Sequence, residues 1–170
     1  MKLLISLLIV IGFASCGYKP SSKLSRVVVG EKISTGIVIS AHDPENTVII
    51  KDAVDEAVIR VFHASLVDKS LSQTHLVFNI KNISYTPIVY DNDGFVVGYR
   101  MITSMGIKKY KNGNEKNYNA LGTYDFEVKP NAIITDQERF DAIRFSSTKA
   151  IYSFLAQVSA EGARITKEGN

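Results

Sequence analysis

One cysteine, three histidines and a knot of lysines are the side chains of this 170-residue chain best suited to chemistry. Cys16 closes the run Phe13-Ala14-Ser15-Cys16, behind an early lysine, Lys2, and an apolar stretch from Leu3 to Ala14. At about a dozen residues the stretch is shorter than the ~20 that cross a bilayer, and it fits the h-region of a signal segment. Small residues ahead of a cysteine form a lipobox. Cleavage after Ser15 then removes Met1–Ser15 and leaves Cys16 as the new N-terminus, with a diacylglyceryl thioether on its thiol and an acyl chain on its amine. Phe13 stands where leucine is usual. Two or more acyl chains hold a protein stably on a membrane without a spanning helix. Gly17 follows where aspartate would mark inner-membrane retention, so the expected location is the outer membrane, on the periplasmic side. With no second cysteine there is neither a disulfide nor a Cys-based metal site.

The histidines, His42, His63 and His75, stand in no metal-ligand spacing, and no metal or dissociable cofactor is expected. Ser146-Ser147 falls inside a helical pattern, where packing or back-bonding explains it. Asp52, Asp55 and Glu56 share a polar helix face. No P-loop, dinucleotide fingerprint or Gly-x-Ser-x-Gly elbow occurs, so an enzyme is not expected. The formal charge of +3 falls to +2 without Lys2, too mild to imply nucleic acid. Any basic function is local, and one place qualifies. Lys108, Lys109, Lys111 and Lys116 surround a tight turn, with Tyr110 and Tyr118 interleaved and Arg100 further back. Lysines at such a place protect an edge and keep it soluble, or they gather phosphate as point charges.

The elements that position these residues are readable from periodicity. Gly17–Lys23 reads as a tether, and residues 16–31 as the whole link between anchor and domain. A strand near Lys32–Ser40 carries Ile33, Ile37 and Ile39 on one parity, with Gly36 a weak point. Asp43-Pro44 then opens a helix to about Ala64, with Ile50, Val54, Ala57, Val58, Val61 and Phe62 as its apolar stripe. Thr74–Tyr90 is a long strand whose alternation slips near Asn82, which predicts a bulge. Pro87 predicts an edge or an irregular strand end. Asp91-Asn92-Asp93-Gly94 turns the chain into a strand from Phe95 to Lys109. Lys111-Asn112-Gly113-Asn114 turns it again into Glu115–Val128. Thr135 and Glu138 form a capping box for a helix to about Ala160, with Phe140, Ile143, Ala150, Ile151, Phe154, Leu155 and Val158 buried and Gly162 as its stop. The predicted domain is α+β over residues 32–162, in the order β-α-β-β-β-α. Two helices cover one face of a four-stranded, largely antiparallel sheet, and residues 163–170 form a tail.

Several short motifs now stand together: Cys16-Gly-Tyr-Lys-Pro20, Asp43-Pro-Glu-Asn46, Tyr90-Asp-Asn-Asp-Gly94, Gly122-Thr-Tyr-Asp-Phe126 and Arg139-Phe-Asp-Ala-Ile-Arg144. In this combination the mature chain resembles a divergent form of the lipopolysaccharide-assembly lipoprotein family LptE. The resemblance implies a non-enzymatic outer-membrane lipoprotein. It implies two partners: the barrel protein LptD, whose lumen it plugs, and lipopolysaccharide or lipooligosaccharide, whose insertion it assists. Lys108, Lys109, Lys111 and Lys116 are candidate lipopolysaccharide contacts from their clustering alone. The competing expectation is a structural, periplasm-facing lipoprotein that contacts peptidoglycan or another envelope complex.

The lipobox is checked by intact mass. Protein extracted from membranes should lack Met1–Ser15 and carry the diacylglyceryl and amide-linked acyl masses on Cys16. Cys16→Ala should leave the chain unacylated, and an unmodified parental Cys16 would refute the assignment.

Overall fold

The computed structural model describes residues 21–38, 44–129 and 133–168. Cys16, His42 and Asp43 lie outside them. Among the described residues three helices, α1 (Ser21–Val29), α2 (Pro44–Phe62) and α3 (Asp136–Glu168), pack on a five-stranded mixed sheet. Its strands are β1 (Lys32–Val38), β2 (Ser65–Leu66), β3 (Thr74–Tyr90), β4 (Val96–Lys111) and β5 (Asn114–Glu127), in the spatial order β2-β1-β3-β4-β5. No described helix is long and apolar enough to cross a membrane.

The expected fold class holds as α+β, and its details change. β1 runs parallel to both β2 and β3. A parallel connection needs a crossover, and α2 supplies it. The fifth strand, β2, has two residues, too few for any alternation to betray. The third helix, α1, begins inside the expected tether. Its Ser25, Val28 and Val29 are buried, and Leu24 lies against α3 at Gly162. Gly30, at φ 81°, ends α1 by donating its N–H to Arg26 O at 2.8 Å, the left-handed cap that glycine adopts without strain.

Local chemistry places the long strands where the alternation predicts them. Ile80 pairs with Met105 and Asn82 with Ser104, so Lys81 is the extra residue of a bulge. The bulge turns Ile83 onto the face already held by Leu76, Phe78 and Ile80, and that face meets the helices. β1 follows β3 only to Asn79. Pro87 therefore lies where β3 has no described strand on that side. Asp91 Oδ1 accepts from the N–H groups of Asp93 and Phe95 at 3.0 and 2.8 Å, and fixes the first hairpin. Asn112 and Gly113, at φ 51° and 77°, form the two-residue second turn.

α3 packs on β5 and β4 and also meets α1 and α2. Its capping box forms as expected. Thr135 N donates to Glu138 Oε2 at 2.8 Å and Glu138 N donates to Thr135 Oγ1 at 3.2 Å. Phe154 is the centre of the core, with Phe62, Phe78 and Tyr118 ring centroids 5.7, 6.3 and 5.1 Å away. Two positions differ from expectation. Phe140 is exposed. Gly162 does not stop the helix, which continues to Glu168; its missing side chain makes room for the α1 backbone at Leu24. Gly122 serves the same purpose on β5, beneath the α3 backbone at Ser146 and Ala150. The neighbouring Thr103 hydroxyl, across from Gly122 in the ladder, meets Ser146 Oγ at 2.7 Å.

A Cβ at position 122 would collide with helix backbone rather than with a movable side chain. Gly122→Ala is expected to cost about 2–3 kcal/mol by overpacking, read as a lower urea midpoint. Gly106→Ala, whose Cβ would press on the flexible end of Lys81 and touch the Asn79 carbonyl only at ordinary contact distance, should leave the midpoint nearly unchanged.

Candidate functional site

The second hairpin gathers the four lysines at one end of the sheet, but alternation divides them between its faces. Lys109, cross-strand partner of Lys116, points under α3 with only 8% of its surface exposed. Glu161 of α3 organises this face. Its Oε2 accepts from Lys116 Nζ at 2.8 Å and from the Tyr118 hydroxyl at 2.7 Å, and its Oε1 lies 3.6 Å from Lys109 Nζ. Both ammonium groups also lie over the Tyr118 ring, 5.7 and 5.5 Å from its centroid. Lys108 is on the opposite, open face and pairs with Glu115 at 3.3 Å. Lys111 donates to the last carbonyls of α1, Val27 O at 3.3 Å and Val28 O at 2.9 Å. A cation there also answers the negative end of the helix dipole.

These contacts set the protonation of the cluster. Burial works to raise the Glu161 pKa, but the bonds from Lys116 and Tyr118 and the charges of Lys109 and Lys116 outweigh it and hold the carboxyl below its ordinary value. Lys109 goes down: burial dominates, Glu161 at 3.6 Å repays only part, and Lys116 and Lys111 add repulsion. Burial, followed by the bond to Glu161, pushes the Tyr118 phenol far up, so it remains a donor. Glu161 is thus the central residue of the cluster, and the lysine pattern alone does not reveal it. Its signal is its spacing from Phe154 and Val158, which places it on the buried stripe of α3.

The open face is largely polar. Lys81 Nζ donates to Asn119 Oδ1 at 2.7 Å, and Arg100 forms a bidentate pair with Asp125, both bonds 2.7 Å. Near β1, Ser34 Oγ lies 2.8 Å from both His75 Nδ1 and Ser72 Oγ. His75 also stacks on Tyr110 at 6.2 Å. Burial chiefly, then the Lys69 charge, lowers the His75 pKa against an opposing bond from Ser34. The buried Ser34 joins β1 to β3 and to the 3-10 turn at Lys69–Leu71. His63, just beyond α2 with φ 49°, offers its carbonyl to Arg26 Nη2 at 2.9 Å. Ser146 back-bonds Ile143 O at 3.1 Å. Ser147 Oγ is buried without a hydrogen-bond partner among the described residues.

At the other end of the same strands the helix-facing side is aromatic. Tyr85, Tyr99, Phe126, Tyr124 and Phe145 form a chain with successive centroid distances of 5.6, 5.9, 6.5 and 4.9 Å. Beyond it, Ile88, Val89, Tyr90 and Phe95 are exposed around the first hairpin.

No protein-family model matches this sequence, and no curated protein matches it. Solved structures do match. Rare lipoprotein B from Shewanella oneidensis superposes with a TM-score of 0.51 at 12% identity, over 79% of this chain and 98% of that one. A candidate lipoprotein from Caulobacter crescentus gives 0.51 at 10% identity, over 84% and 95%. The likeness is one of fold.

Glu161→Gln leaves Lys109 and Lys116 without their anion and should cost about 2 kcal/mol at neutral pH. The parental contribution is complete above the ordinary carboxyl value of 4.5 and is lost as pH falls through the lower folded value. The gap between variant and parent should therefore narrow as pH falls below 4.5, read by urea unfolding at pH 7 and in acid. Lys109→Met removes an under-compensated charge and should stay within about 1 kcal/mol of the parent.

Proposed function

We propose that this chain is a non-enzymatic outer-membrane lipoprotein of the LptE type. Anchored through acylated Cys16 on the periplasmic side, it plugs an LptD-type barrel and assists lipopolysaccharide or lipooligosaccharide assembly there. The observation that carries this reading is the long β3–β4–β5 sheet, which offers a polar open face along its length and an exposed apolar patch at its tip. A barrel lumen is polar and wet, and suits the face. A cluster of exposed Tyr85, Ile88, Val89, Tyr90 and Phe95 is the kind of surface a protein partner covers. The fold shared with rare lipoprotein B supports the lipoprotein part of the reading.

Among the four candidate lysines, Lys108 and Lys116 keep half-exposed side chains, 53% and 50%. They are the two best placed to meet phosphates of lipid A and the inner core. Lys109 and Lys111 act through the fold, as a buried partner of Glu161 and as the cap of α1; Lys116 is shared, since it also bonds Glu161 at 2.8 Å.

Affinity-tagged protein isolated from outer membranes should bring down a large barrel of the LptD type. Tyr90→Asp with Phe95→Asp should lower that recovery by more than about tenfold. Lys108→Gln, which breaks only an exposed pair with Glu115, should spare it and lower bound lipopolysaccharide. Recovery without any barrel would overturn the reading, and recovery with peptidoglycan would favour a structural envelope lipoprotein.

A further inference from the structure

A second basic feature lies where α1 meets the β4–β5 turn. It is a recess of roughly 750 Å³ whose lining includes Lys23, Arg26, Glu31, Gln73 and Lys111. Three of these residues are cations and one, Glu31, is an anion. Arg26 is only partly satisfied: Nη2 donates to His63 O at 2.9 Å and Nη1 lies 3.6 Å from Glu31, while Nε is buried with no hydrogen-bond partner among the described residues. Lys23 is exposed at the mouth. The recess therefore has an excess of donors and positive charge and is open to solvent.

Its position in the chain says what lies opposite. Ser21, the first described residue, is five positions after Cys16, and five residues span at most about 18 Å however they are arranged. A membrane that holds acylated Cys16 must then lie within that reach of the α1 end. The aromatic hairpin tip is at the far end of β3 and β4, roughly 50 Å away at ~3.3 Å per residue. The recess is thus confined near lipid headgroups.

We infer that the Lys23–Arg26–Lys111 recess binds the phosphates of anionic phospholipids in the leaflet that holds the anchor. This orients the domain with α1 toward the membrane and the first hairpin away from it. Lys111 serves twice, capping α1 and adding charge. Each lysine or arginine near an anionic surface strengthens adsorption by about fivefold, an effect that salt screens. The inference uses the Cys16 anchor for placement and does not depend on a barrel partner.

The test uses the mature chain from residue 16 with Cys16→Ser, which is unacylated and contains every described residue, in sedimentation with vesicles. Binding is expected to vesicles containing phosphatidylglycerol, to weaken with salt, and to be weak on pure phosphatidylcholine. Lys23→Glu should lower affinity on the order of tenfold. Glu31→Gln, which removes the one lining carboxylate, should raise it. Lys149→Glu, the same charge change on α3 beside Tyr124, should have little effect, and circular dichroism should be unchanged in all three. Equal binding to both vesicle types, equal losses from Lys23→Glu and Lys149→Glu, or full competition by millimolar inorganic phosphate would overturn the inference. If intact mass shows Cys16 unmodified while the vesicle results hold, the anchor assignment fails and the recess stands.

Discussion

The close approach of α3 to the sheet at Gly122 determines where the core rings and the charge cluster of this molecule sit. A helix usually stands off a sheet by the length of two side chains. Here the Ser146–Ala150 backbone occupies the space a Cβ on residue 122 would fill, and Ser146 and Thr103 exchange a hydrogen bond beside it. That contact pins α3 in rotation and in translation. Eight residues on, roughly 12 Å along the axis, Phe154 enters the ring cluster. Seven more bring Glu161 over Lys109 and Lys116, and Gly162 under α1. The charge cluster is thus set in place by a packing contact about four turns away.

Glu161 also explains how lysines can be buried under a helix at all. One carboxylate serves two ammonium groups and a phenol, and its own gain from them is large enough to hold its pKa down against burial. Lys109 does not break even, since its pKa falls. Replacing Glu161 leaves both lysines and the phenol without their shared acceptor in a poorly solvated place, which makes that carboxylate a stringent determinant of how α3 sits. The consequence for binding is that charge density at this end is smaller than the lysine count suggests. What remains for a ligand is on the exposed side chains of Lys108 and Lys116 and in the recess beside α1.

The features legible in the sequence are those whose causes are local. The limits of β3, the bulge near Asn82, the two turns and the capping box each depend on a few adjacent residues, and each is found where those residues place it. The misreadings share a different cause. Gly162 looks like a helix stop because glycine often is one, and only the presence of α1 across from it gives the other reason for its size. Pro20, Ser21 and Ser22 suggest a tether, although Leu24 and Val28 at helical spacing were available as a counter-signal. The parallel pairing of β1 and the two-residue β2 leave no trace in alternation. Glu161 is found only once α3 is known to run past Ala160, because a carboxylate near a helix end otherwise reads as solvated.

The antiparallel meander turns these local choices into an axis for the whole molecule. Because β3, β4 and β5 run almost their full lengths side by side, the turn chemistry at each end accumulates instead of mixing. One end collects Lys108, Lys109, Lys111 and Lys116, and α1 adds Lys23 and Arg26 to it. The other collects Asp91 and Asp93 in a turn ringed by Tyr90, Phe95 and Val89. The covalent chain leaves for Cys16 from the basic end. An anionic leaflet attracts that end and repels the acidic turn, so tether length and electrostatics favour the same orientation. If Cys16 is acylated as proposed, the apolar tip is held away from the leaflet that holds the anchor, and that leaflet cannot cover it.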